Sequence, residues 1–217
     1  MWSGLVLARD TLDDVKRIVA VAGTIGAGKT SLVTWLVKQY GLVPFYEPNE
    51  ANPYLADFYA DMPRWSFHSQ CFFLAHKLEL HQRLEKTTVP AVIDRTIYED
   101  AEIFAKNLYA QRIMTKRDWQ VYERLYAGIR RALRPPDVLL ALTCSLASAK
   151  KRIARRGRGM EKEIPHAYLK RLHGLYEDWF ATYALSPIVR IDTTKMDYVE
   201  DLVDLIELKK TIDAALA

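Results

Sequence analysis

Val19-Ala20-Val21-Ala22-Gly23-Thr24-Ile25-Gly26-Ala27-Gly28-Lys29-Thr30 decides the fold: a short apolar strand runs into the pattern G-x-x-x-x-G-K-[ST], and a helical pattern follows. Small residues let backbone N–H groups close around phosphate oxygens, and the helix behind them presents its positive end. Lys29 then reaches the outer phosphates and Thr30 offers a hydroxyl to Mg2+. Residues Gly23, Thr24, Ile25, Gly26, Ala27, Gly28, Lys29, Thr30 and Ser31 form the expected nucleotide-phosphate site.

Outward from this stretch, apolar segments alternate with helical patterns, the order of a parallel sheet with crossover helices. Strands are predicted at 17–22, 43–47, 91–94, 138–143 and 188–191, with Pro44, Pro90, Pro136 and Pro187 at or beside four of them and therefore confined to strand starts. Helices are predicted at 29–39, 64–85, 98–109, 116–132, 146–156, 165–183 and 199–215, with Pro165 in a first turn. The reading is an α/β fold in one domain, 17–217, after a leader at 1–16, with no repeat and no low-complexity segment.

In an open parallel sheet, ligands sit beyond the carboxyl ends of the strands, so the residues at those ends carry the functional reading. Glu47, in Phe45-Tyr46-Glu47-Pro48, either points into the cleft toward an acceptor hydroxyl or is a turn residue. Asp94-Arg95 follows the apolar Val92-Ile93; it is read as a metal-ligating carboxylate and a phosphoryl-stabilising guanidinium, or else as a structural ion pair. Asp100 either caps the next helix or reaches substrate. Gln70 and Lys77 are seven residues apart on one helical face with Phe73 and Leu74. Gln70 either pairs with the edge of a base or is a satisfied buried amide.

Seven cations, Lys150, Lys151, Arg152, Arg155, Arg156, Arg158 and Lys162, crowd a window that also holds Gly157 and Gly159. Beside a phosphate-binding loop this reads as an arginine-rich lid at about 155–164 that clamps phosphate; a solvated face or a nucleic-acid patch is the alternative. The formal net charge of +4 is too small to argue for nucleic acid by itself. No run approaches the roughly 20 apolar residues of a membrane span, and Arg9 and Asp10 interrupt the start of the chain, so a soluble cytoplasmic protein is expected. Cys71 and Cys144 sit in apolar stretches without C-x-x-C spacing and are expected to be buried free thiols.

Taken in order, 23–30, Phe45-Tyr46-Glu47-Pro48, Arg64-Trp65-Ser66-Phe67-His68-Ser69-Gln70, Asp94-Arg95-Thr96-Ile97-Tyr98-Glu99-Asp100 and Arg152-x-x-x-Arg156-Gly157-Arg158 resemble the deoxyribonucleoside kinase family over nearly all the chain after residue 16. The resemblance implies a P-loop kinase fold with a five-stranded parallel sheet flanked by helices, usually a homodimer. It also implies transfer of the γ-phosphate of ATP, with Mg2+, to a deoxynucleoside 5'-hydroxyl in nucleotide salvage. Under it Glu47 contacts the 5'-hydroxyl and Arg95 the phosphoryl path, while Asp94 acts as metal ligand or base. Tyr59 and Glu161 hold the sugar 3'-hydroxyl, Gln70 and Asp100 the base, and Arg152, Arg156 and Arg158 form the lid. Asp197-Tyr198 falls where a loop lies against adenine.

Two positions depart from the family pattern. Lys77 stands where many members place an arginine that works with the Asp100 equivalent, and an ammonium is a point charge where a guanidinium is a planar fork. Ser69 replaces a stacking aromatic. An acidic Asp100 with a cationic partner resembles members that take purines or deoxycytidine in preference to thymidine. The enzymatic rival is a thymidylate-kinase-like nucleoside monophosphate kinase. Such enzymes place arginine just before Glu-Pro, where this chain has Tyr46; without it, Glu47 would repel a dianionic acceptor. From another class, an ATP-dependent nucleic-acid-binding switch would leave Glu47, Tyr59, Gln70 and Glu161 without a joint purpose.

Overall fold

The computed structural model describes residues 18–46, 52–157, 166–198 and 201–216. Five parallel strands make one sheet in the order β2-β3-β1-β4-β5: β1 Ile18–Gly23, β2 Val43–Phe45, β3 Ala91–Asp94, β4 Val138–Thr143 and β5 Ile188–Asp192. The chain goes from central β1 to the far edge at β2, returns through β3 to lie beside β1, and then builds β4 and β5 on the other side. The order thus reverses around β1, which places a crevice at its carboxyl end.

All six residues of β1 are buried, because helices cover both faces of the sheet; a strand in that position needs apolar residues throughout. Its side chains alternate between two cores. Ile18, Ala20 and Ala22 pack with helices α3 (Met62–Glu85), α6 (Lys116–Ala132) and α8 (His166–Thr182), whereas Val19 and Val21 pack with α1 (Lys29–Tyr40) and α9 (Leu202–Leu216). Ala149 of α7 (Leu146–Arg156) joins the second core.

Helix ends follow local chemistry. The Asp61 side chain accepts from the Arg64 N–H (3.3 Å) and Pro63 sits in the first turn, so α3 starts at Met62, ahead of the predicted residue 64. Thr115 and Ser145 cap α6 and α7 in the same way, and Gly157 ends α7 in a left-handed conformation, φ 66°. Strand β2 stops at Phe45, short of the predicted 47, and Pro44 lies inside it and not at its start. That is tolerated because β2 is an edge strand.

The predicted helix 98–109 is a composite: α4 Ile97–Glu99, a π-helical segment Asp100–Ala105, and α5 Lys106–Ala110. A further helix, α2 Leu55–Ala60, was not predicted; it is six residues long and none is fully buried, Phe58 alone packing partly against the core, so it shows no periodic stripe. Helix α9 begins at Leu202, and residues 199–200 and Pro165 lie outside the described residues. Cys144 is buried, Cys71 part-buried, and both are free.

Candidate active site

The site starts where β1 and β3 end together. Val21 pairs with Asp94, and the Arg95 N–H donates to the Val21 carbonyl (3.0 Å), so the phosphate loop and the Asp94-Arg95 turn leave the sheet side by side. The loop needs its glycines. Gly26 and Gly28 adopt φ 82° and 103°, and a Cβ would lie 2.6 Å from the Ala149 carbonyl oxygen and 2.6 Å from the Tyr198 hydroxyl, respectively. Tyr198 seals the loop from outside, its hydroxyl donating to the Gly28 carbonyl (2.9 Å), and burial pushes that phenol up to about 12. Asp197 is turned to α9, its N–H donating to the Asp204 carboxylate (2.6 Å).

Lys29, first residue of α1, folds back over the loop and donates to the carbonyls of Gly23 (2.8 Å) and Thr24 (3.1 Å). Thr30 donates its hydroxyl to Asp94 Oδ2 (3.1 Å). A hydroxyl and a carboxylate converging next to a phosphate loop form a hard-oxygen donor set that fits Mg2+, which binds through one or two carboxylates plus substrate phosphates. Among the described residues no group of three or more His, Cys, Asp and Glu clusters as a metal cage.

Arg95 is held in the left-handed region, φ 66°, an arrangement that costs a non-glycine residue of order 1 kcal/mol or more. Its guanidinium lies 4.7 Å over the Phe104 ring and its Nε 3.8 Å from Glu99 Oε1. Lys77, buried on α3, donates to the carbonyl of Arg95 (2.7 Å) and more weakly to that of Asp94 (3.4 Å). The lysine read as a base contact therefore grips the main chain of the Asp94-Arg95 turn. Two turns away on the same helix, Gln70 is buried and its Oε1 has no hydrogen-bond partner among the described residues.

Asp100 opens the π-helical segment and is buried, close enough to Tyr122 to help burial raise that phenol's pKa. A π-helical turn re-aims side chains relative to an α-helix, and such turns recur at functional sites. Tyr59 is exposed on α2. It and Arg95 both act electrostatically on Tyr168 of α8, whose phenol burial pushes up to about 12, so α2 and α8 flank the same cleft as the arginine. Ser69 is fully buried and accepts from Asn52 Nδ2 (3.0 Å); together with Tyr54 stacked on Trp65, this docks the segment before α2 onto α3.

Arg152 sits within α7, and its guanidinium turns inward to bond the Thr193 hydroxyl (2.9 Å), the Thr193 carbonyl and the Met196 carbonyl (3.0 Å). The predicted lid arginine thus ties α7 to the segment after β5. Arg155 and Arg156 occupy the last turn of α7. Glu47, Arg158 and Glu161 lie outside the described residues.

Sequence reasoning missed Glu99, which is fully buried and accepts from the N–H groups of Gly23 (3.3 Å) and Thr96 (2.8 Å) and from the Tyr176 hydroxyl (2.9 Å). The signal was present as Thr96-x-x-Glu99, a capping box that the structure forms.

The family model for deoxynucleoside kinase matches residues 19–215. A deoxyadenosine/deoxycytidine kinase of Bacillus subtilis is 37% identical over 188 residues, covering 85% of this chain and 86% of its own. A deoxyadenosine kinase of Lactobacillus acidophilus is 32% identical over 210 residues, covering 92% and 96%. A solved structure of deoxyadenosine kinase from M. mycoides, described with the products dCMP and a flexible dCDP bound, superposes with a TM-score of 0.79 at 27% identity, over 91% of this chain and 99% of that one. A chain with this loop, this strand-end turn and these relatives belongs to the deoxynucleoside kinase family, ATP-dependent kinases acting on a nucleoside hydroxyl.

Proposed function

We propose that the protein transfers the γ-phosphate of ATP to the 5'-hydroxyl of a deoxynucleoside, taking a purine or deoxycytidine in preference to thymidine, in nucleotide salvage. One observation carries this reading: Lys29, the Thr30–Asp94 pair and Arg95 converge where β1 and β3 end, within reach of a helix bearing a buried amide acceptor at Gln70. Lys29 and the backbone of residues 23–31, Ser31 included, hold the triphosphate. Thr30 and Asp94 hold Mg2+, which when bound neutralises phosphate charge. Arg95 stabilises the phosphoryl group in flight, and Glu47 orients the 5'-hydroxyl and takes its proton late, which suffices for a loose transition state.

Gln70 Oε1 accepts from the exocyclic amino group of adenine or cytosine, and the acidic Asp100 favours an amino donor over the carbonyl that thymine presents there. Tyr59 and Glu161 hold the sugar 3'-hydroxyl. Arg156 and Arg158, in a lid spanning about 155–164, close on the phosphates, with Arg152 anchoring the base of that lid. Residues 17–217 act as one kinase domain after the leader 1–16, and the protein works as a cytoplasmic homodimer. No helix of the described residues is long and apolar enough to cross a membrane. Val121 and Leu125, exposed on α6, offer apolar surface to a second copy.

The test is a substrate panel of dA, dG, dC, thymidine and their monophosphates with ATP and Mg2+, read as product formation, on the wild type and on Glu47→Gln. Amino-bearing nucleosides are expected to be turned over best. The variant is expected to lose about 10²-fold in kcat with nucleoside binding intact, the magnitude of a lost general base. Turnover confined to monophosphates, or normal turnover by Glu47→Gln, overturns the assignment.

A further inference from the structure

Glu99 has no solvent exposure, so it cannot itself meet a substrate, yet its carboxylate touches three elements that serve phosphoryl transfer. Oε1 takes the N–H of Gly23, where β1 enters the phosphate loop (3.3 Å), and the hydroxyl of Tyr176 on α8 (2.9 Å), and lies 3.8 Å from Arg95 Nε. Oε2 takes the N–H (2.8 Å) and hydroxyl (3.3 Å) of Thr96, the residue that follows Arg95. The groups bonded to it are donors, an arrangement that suits the anion. Burial raises its pKa while Arg95 and Lys29 pull it back down.

A residue that merely closed the first turn of α4 would need only the two Thr96 contacts. The contacts to Gly23, Arg95 and Tyr176 are additional to that job. They hold a carboxylate bonded at the mouth of the phosphate loop 3.8 Å from the Arg95 guanidinium, on which Phe104 stacks. An arginine has a long flexible stem, and electrostatic stabilisation of a transition state depends on charge that is already in place when the reaction occurs.

We infer that Glu99 is a positioning residue for the kinase reaction: its buried carboxylate locks the Arg95 guanidinium against the phosphate loop and, through Tyr176, against α8. This rests on the kinase reading above. Glu99→Gln keeps the shape but sets an amide N–H2 against groups that are themselves donors. Tyr176→Phe removes one bond to the carboxylate and keeps the ring in the core.

The experiment is steady-state kinetics on the full chain with ATP and its best nucleoside, for both variants in the wild-type and Arg95→Ala backgrounds, with thermal melts to establish folding. Glu99→Gln is expected to lower kcat by roughly 10- to 100-fold with both KM values within about threefold, and Tyr176→Phe to lower kcat by about threefold, as misorientation of one catalytic group would. In the Arg95→Ala background both losses should shrink to less than about twofold, because residues that act through one another are not additive. Equal losses in the two backgrounds, a loss confined to KM, or unchanged kcat overturns the inference. If Glu99→Gln does not fold, Tyr176→Phe decides by the same criteria. Wild-type protein that phosphorylates no nucleoside overturns the kinase reading and this inference together; wild-type turnover with additive losses overturns this inference alone.

Discussion

Lys77 shows how far a residue type can be read and where the reading stops. Its position on the Gln70 face was legible in a seven-residue spacing, but its target was not, because the carbonyls it grips belong to a strand end that only the fold brings to α3. A lysine that holds the Asp94-Arg95 turn serves every nucleoside alike. Lys77→Met should therefore lower kcat by about tenfold for dA, dG and dC together and leave their ratio unchanged, as expected when geometry is lost and not base contact; a substrate panel measures this. One turn further on, His81 is buried beside Lys77 and the Tyr98 ring, and burial first, then the Lys77 charge, lowers its pKa from the ordinary 6.5 to about 4. The unfolded chain takes up that proton first, so this contribution to stability is fully present above about pH 6.5 and is lost as pH falls toward 4. It amounts to at most about 3 kcal/mol. Urea midpoints measured between pH 7 and pH 4.5 should fall less steeply for His81→Leu than for the wild type. Glu99 was within reach of the sequence through its capping box, but nothing local announced that Gly23, 76 positions away, also bonds to it.

Among the elements, the central strands β1, β3 and β4 were the most readable because each is a largely apolar run bounded by proline or glycine or turning into a charged pair, and β1 and its loop carry a motif whose spacing is dictated by phosphate. Two elements escaped for physical reasons. Helix α2 is six residues long with no fully buried side chain and only Phe58 packed against the core, too short to show a stripe, and the π-helical segment keeps its residues in a helix while shifting which of them share a face. Helix α7 was placed correctly, yet a window of seven cations does not say which one turns inward. The partners of Arg152 stand 41 and 44 positions away, at Thr193 and Met196. The two roles separate under mutation. Arg156→Ala, altering a residue at the exposed end of α7, is expected to reduce kcat by about 10²-fold or more with little change in melting temperature, as for a group that contacts transferring phosphate. Arg152→Ala should also lower the melting temperature, since it leaves the part-buried carbonyls of Thr193 and Met196 without this donor. Paired kinetic and melting measurements check both.

At the level of the whole molecule, the sheet separates two cores, one on each side. The phosphate-loop helix α1 shares its core with α7 and α9, whereas α3, the π-helical segment, α6 and α8 pack on the opposite face. Ligands that engage the native cleft raise stability by mass action: ATP with Mg2+ at about 100 times its Kd should add about 2.7 kcal/mol, or roughly 5–10 °C in melting temperature for a chain of this size. Thermal shift assays check this, and a duplex DNA oligonucleotide should give no such shift at physiological salt. The division also bears on how such an enzyme can diversify. Gln70 and Asp100 belong to one layer and Lys29 and Thr30 to the other; under the proposed function, substitutions that exchange one nucleobase for another can therefore accumulate on one side while the phosphate loop keeps its packing. Lys77 and Glu99 are buried, and a library aimed at new nucleoside analogues should vary the lining of α3 while holding both constant.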